Sequence, residues 1–221
     1  MFKRFKFSDI NINEIKQCVE LIEDAPVYNW DDTAAIILNE REIWLIKEIV
    51  DRIYDLPIHL LNEATIWARA IYPLLLLSET KTIRIWSELL LSCQYQNFSL
   101  EGIVDGVLGK TYSGRMDEPY LVVIEAKRGI EANNPVAQSY AQLLTAARLN
   151  WEQDQKYLQV IFGCYTIADS WTFIRAEIEK IETNKPVMRV TTSREYVEKL
   201  EAEQIARILK HIVQLKIQSI S

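Results

Sequence analysis

At 221 residues, with 49% hydrophobic and 25% charged side chains, the chain can bury a real core and fits one large domain. A net charge of −6 excludes a protein coated in base that holds nucleic acid by counterion release alone, although a local basic groove stays open. The three cysteines, Cys18, Cys93 and Cys164, never form a CxxC pair, and His59 and His211 have no partner at ligand spacing, which argues against a disulfide framework, structural zinc or zinc-hydrolase chemistry.

Nothing near Met1 combines a basic segment with a long apolar stretch and a cleavage site. The longest apolar run, Ala70 to Leu77, is too short for a bilayer and contains Pro73. The expectation is a soluble protein of a reducing cytoplasm, without a membrane partner.

In chain order, Ile12, Ile15, Val19 and Ile22 recur at helical spacing behind Ser8-Asp9, and Pro26 should stop that helix. Ile43, Ile46, Ile49, Val50 and Ile53 mark a second helix over about 40–55, ended before Pro57. Asn62 is the expected N-cap of a third, over 63–77, with Ile66, Ala70, Ile71 and Leu74 on its buried face. The first third thus reads as helical.

The pattern then becomes β-rich at 82–86, 89–95, 99–108 and 119–127, with a polar loop at 109–119. Asn133-Asn134-Pro135 reads as a helix start, the helix running to about Trp151. Strands at 157–167 and 170–178 form a hairpin around Ala168-Asp169, a further strand covers 187–192, and a helix over 194–217 closes the chain. Helices followed by strands, with one helix between core strands, predict an α/β (α+β) fold: a mixed central β-sheet flanked by helices, in a single domain of a helical extension (1–57) and a core (58–221).

The chemistry concentrates on Glu125-Ala126-Lys127, which ends the apolar run Tyr120-Leu-Val-Val-Ile, and on Asp105 within Ile103-Val-Asp-Gly-Val-Leu. The tripeptide alone is cheap, because Glu14-Ile15-Lys16 and Glu79-Thr80-Lys81 repeat it and Asp154-Gln155-Lys156 is its aspartate version. Residues two apart share a face only in a strand, so Glu125 and Lys127 converge, together with Leu121 and Val123, whereas Glu14 and Lys16 on a helix do not. Asp105, expected on a face with Ile103 and Val107, would bear a desolvation cost of several kcal/mol unless a metal or a partner offset it. Two readings stay open at this level: a structural ion-pair network, or a magnesium site in which carboxylates hold the ion while lysine stabilises charge on a phosphate.

These segments, with Leu60-Leu-Asn-Glu-Ala-Thr-Ile-Trp-Ala-Arg and Val122-Val-Ile-Glu-Ala-Lys-Arg-Gly, resemble the PD-(D/E)xK nuclease superfamily. The likeness is to the amino-terminal nuclease domain of type I restriction motor subunits and small stand-alone relatives, and it covers about 60–151. It implies a restriction-endonuclease-like core and a magnesium-dependent nuclease, manganese substituting, that hydrolyses phosphodiesters in nucleic acid, with DNA preferred. It implies Asp105 and Glu125 as metal ligands, the Ala126 carbonyl completing the set, Lys127 as catalytic and Glu63 as acidic support. Val104 stands where the signature has proline.

Gln138 and Gln142, one turn apart on the following helix, and Lys110, Arg115 and Arg128 are candidate substrate-backbone contacts, with ordinary surface amides and solvated charges as the alternative. Homodimerisation would suit an enzyme that cuts both strands. The competing reading is a nuclease-fold module that binds nucleic acid or a protein partner without cutting.

Overall fold

A computed structural model describes residues 2–23, 28–127 and 135–220, without the side chains of 118, 119, 219 and 220. The strands are β1 (Lys3–Lys6), β2 (Glu20–Ile22), β3 (Ile83–Gln94), β4 (Phe98–Tyr112), β5 (Arg115–Lys127), β6 (Leu158–Ile167), β7 (Ser170–Glu179) and β8 (Val187–Val197). The helices are α1 (Ile12–Cys18), α2 (Glu40–Tyr54), α3 (Glu63–Ile66), α4 (Tyr72–Leu76), α5 (Val136–Asp154) and α6 (Glu198–Ile220). A π-helical stretch, Trp67–Ile71, joins α3 to α4.

One mixed sheet runs in the order β1-β4-β5-β6-β7-β8-β2, with β3 on β4. β5 and β6 are parallel, as a strand–helix–strand crossover through α5 requires, while β3–β4, β4–β5, β6–β7 and β7–β8 are antiparallel. Two helical layers cover it. On one face Ile15 and Cys18 of α1 and Ala141 and Leu144 of α5 share a core with Val123, Ile161, Ile174 and Val190. On the other, Ile49 of α2, Ile66, Ile71 and Leu74 of the α3–α4 rod, and Ile205 and Leu209 of α6 pack on Ile85, Ile124, Phe162 and Phe173. No helix among the described residues is long and apolar enough to cross a membrane.

Local chemistry explains most boundaries. α2 opens with a reciprocal capping box, Asn39 accepting from the Glu42 amide while the Glu42 carboxylate accepts from the Asn39 amide. Asn62 caps α3 as expected, accepting from the Thr65 amide at 2.8 Å. α5 begins at Val136, directly after Pro135, and residues 133 and 134 lie outside the described part.

The structure departs from the sequence expectation in several places, among them the end of the chain, where β8 runs on to Val197 and the helix expected from 194 begins only at Glu198. The first third is not purely helical: α1 ends at Cys18, Val19 turns extended at φ −134°, and Glu20–Ile22 pair with Val187–Arg189. Val19 and Ile22 fit a helix or a strand, and β-branching together with a free edge on β8 favours the strand; Pro26, the expected stop, lies outside the described residues. Lys3–Lys6 likewise add a strand on β4. The expected polar loop at 109–119 is the tip of a long β4–β5 hairpin, closed by Ser113 and Gly114 at φ 49° and 76°, the paired left-handed conformations of a two-residue turn. Finally, 82–86 and 89–95 are one strand, β3, whose interruption at Glu88 proves to be part of the site.

Candidate functional site

The site lies where the sheet divides. β4 pairs with β5 only from Gly106 onward, and with β1 from Phe98 to Glu101, so its edge is handed from one neighbour to the other around Asp105. At the same level β4 turns over. Val104 and Val107, three apart, both belong to the core on the α5 side, which an unbroken period of two forbids. Asp105 and Gly106 therefore both face the α3 side. A Cβ on Gly106 would lie 2.4 Å from the Trp67 ring, so only glycine lets the indole seat here.

β3 turns over on the same rung. Ile83 and Ile85 belong to the α3-side core, whereas Leu91 and Cys93 belong to the α5-side core. Ser87 pairs with Gly106 and Leu89 with Val104, and the rung between them, Glu88 opposite Asp105, is skipped. Glu88 has φ 53°, a conformation costing a side-chain-bearing residue about 1–3 kcal/mol. Glu63, Trp67, Ser87, Glu88, Asp105 and Ala126 line a cavity of about 300 Å³ at this point.

Asp105 fills the gap between the dividing strands, its Oδ2 accepting from the Ala126 amide at 2.7 Å. Burial pushes its pKa up, the Ala126 amide and Lys127 pull it back, and the Glu63 and Glu88 carboxylates add to the rise. Glu125, only 1% exposed, projects to the α5 side. Gln142 donates to its Oε2 at 2.5 Å, and Lys127 Nζ stands 2.5 Å from Oε1. Oε1 keeps the lysine as an ion-pair partner and has no hydrogen-bond donor besides. Burial first, then repulsion from Asp105, lifts Glu125 to about 7 against the pull of Lys127 and Gln142. For Lys127 burial favours the neutral amine, but Glu125, with Glu63 and Asp105, outweighs it and holds the pKa above the ordinary lysine value.

Of the residues singled out in the sequence, Asp105, Glu125, Ala126, Lys127, Gln142 and Glu63 come together here. Gln138 does not: it lines a separate groove with Phe7, Leu90 and Ile103. Lys110 pairs with Ile83 and Asp117 toward the hairpin tip, roughly 17 Å along β4 from Asp105 at strand rise. Arg115 sits at the turn itself, and Arg128 lies outside the described residues. Val123 shares the Glu125 face, but Leu121 packs in the opposite core, since the β4–β5 register shifts at Gly109. Val107 does not share the Asp105 face as expected, because of the turnover, and Ile103, two residues before Asp105, is exposed.

Glu88 was not legible in advance. Ser-Glu-Leu-Leu-Leu contains no turn residue, and only register against Asp105 reveals it.

As the side chains stand, no three acidic, histidine or cysteine groups among the described residues are placed to hold a metal. The donor chemistry nevertheless fits a hard cation: half-buried Asp105 raises the pKa of buried Glu125, Glu63 and Glu88 line the cavity with Asp105, and the one lysine present faces Glu125, Glu63 and Asp105. No protein-family model matches the chain, and no curated protein matches it.

Proposed function

We propose that the chain is a magnesium-dependent nuclease of the PD-(D/E)xK kind, acting on phosphodiester bonds, with DNA as the preferred polymer. The observation that carries this reading is buried Glu125, its pKa raised by the neighbouring half-buried Asp105, with Lys127 on Glu125 at a fork in the sheet. A structural ion-pair network would balance its charges. Here one ammonium faces Glu63, Asp105 and Glu125, an arrangement that repels a phosphate unless further positive charge is supplied.

Asp105, Glu125 and the Ala126 carbonyl would hold the ion, with Glu63 in support; when bound it supplies Lewis-acid polarisation of the phosphate and an acidified water. Gln142 fixes the Glu125 carboxylate from the helix side, which sets the orientation of the buried acid. Lys127 neutralises Glu125 before loading and stabilises charge developing on the phosphate oxygens afterward. Substrate-backbone roles for Lys110 and Gln138 receive no support from their positions.

The test is cleavage of single- and double-stranded DNA and RNA with magnesium or manganese, beside Asp105→Asn and Glu125→Gln. Metal-dependent cleavage in the wild type, lost in both variants with unchanged circular dichroism, is the expected result. No cleavage of any polymer together with no calorimetric metal binding would overturn the proposal.

A further inference from the structure

The structure assigns Glu88 to the metal-binding set as an additional carboxylate ligand that faces Asp105 across the skipped rung of the β3–β4 ladder. This assignment rests on the metal-site reading above and adds a residue that neither the motif nor its spacing contains.

Three observations carry it. Register places Glu88 opposite Asp105, with Ser87 on Gly106 and Leu89 on Val104 on either side. Glu88 and Asp105 line the same cavity, together with Glu63 and Ala126. The exposed Glu88 side chain also has no hydrogen-bond or ion-pair partner among the described residues, whereas Glu79, just ahead of the same strand, is bound to Arg84 at 2.6 Å.

The alternatives are weaker. An exposed strand glutamate with only a solvating role would keep extended dihedrals, be paired on its ladder, and stay clear of another carboxylate, since like charges directly opposite destabilise an antiparallel pair. Glu88, although solvent-exposed, does none of these: its backbone is left-handed, its rung is skipped and it lines the cavity with Asp105. A hard divalent ion is the ligand class that turns opposed carboxylates from a repulsion into a chelate, because it accepts several oxygens at once.

The experiment is titration calorimetry with manganese on the full chain, for wild type, Glu88→Gln and Glu88→Gly, with thermal melts of each apo-protein. Glu88→Gly removes the left-handed strain with the carboxylate, so it keeps the fold if glutamine does not. Both variants should bind manganese at least about tenfold more weakly, while their apo melting temperatures equal or exceed that of the wild type. Wild-type affinity retained in either folded variant overturns the Glu88 assignment alone. A wild type that binds no manganese overturns the metal site itself, and this assignment with it.

Discussion

Glu198, the first residue of α6, should make the protein progressively less stable from mildly acidic to neutral pH, and Glu198→Gln should remove its share of that decline, leaving the smaller contribution of Glu125. The carboxyl is fully buried; Trp171 Nε1 donates to Oε2 at 2.8 Å and Oε1 has no partner. Burial raises its pKa from 4.5 to about 8, against the Trp171 hydrogen bond and with a contribution from Asp169. The helix N-terminus works the other way and is too weak to prevent the rise.

Since the folded-state value exceeds the unfolded one, the stabilisation is complete below about pH 4.5 and disappears as pH climbs through about 8. At 1.36 kcal/mol per unit, the loss between pH 5 and pH 7 is roughly 2 to 3 kcal/mol. Glutamine matches the protonated acid in shape and can accept from the Trp171 indole. The two proteins should therefore unfold at similar urea concentrations at pH 5 and diverge by that amount at pH 7, the variant being the more stable. Urea titrations at half-unit pH steps, followed by tryptophan fluorescence with m-values checked for constancy, provide the measurement. Curves that run parallel from pH 5 to pH 8 would refute the reasoning.

Three further outcomes are expected. Asp105→Asn relieves the repulsion on Glu125, so the Glu125 carboxylate should titrate below its value of about 7; carbon-detected NMR of the side chain reads this, and an unmoved midpoint would uncouple the two groups. Lys127→Met should retain manganese affinity yet lose cleavage rate, and above the Glu125 pKa should destabilise the apo-protein by about 3 kcal/mol, the low end for a broken buried pair because Lys127 is partly exposed. Loss of affinity and rate together would contradict its assigned role. Gly106→Ala places a methyl against the Trp67 ring and should cost about 1–3 kcal/mol by chemical denaturation; a neutral effect would mean that Trp67 moves aside freely.

Apolar period and capping chemistry made α2, α5, the β6–β7 hairpin and the bulk of α6 readable from the sequence, because in each the local preference and the tertiary role agree. Agreement failed at β1 and β2, short segments whose partners lie far along the chain, so nothing local distinguishes them from helix or loop. The site was half legible. Asp105, Glu125 and Lys127 stand out because polar groups end apolar strands, and Gln142 because it lies on the next helix. Glu88 escaped notice because its role depends on two strands turning over on the same rung, a property of pairing rather than of either strand.

The amino-terminal segment touches both ends of the sheet: Lys3–Lys6 lie on β4 and Glu20–Ile22 on β8, with α1 between them against the α5 layer. During synthesis the first strands to leave the ribosome must wait, β2 until Val187–Arg189 have been made, so the earliest residues are among the last to find their places. Until then β7 lacks its β8 neighbour, and a chain stalled or cleaved before this point would offer the β7 edge to other chains, making completion of synthesis a condition for escaping aggregation.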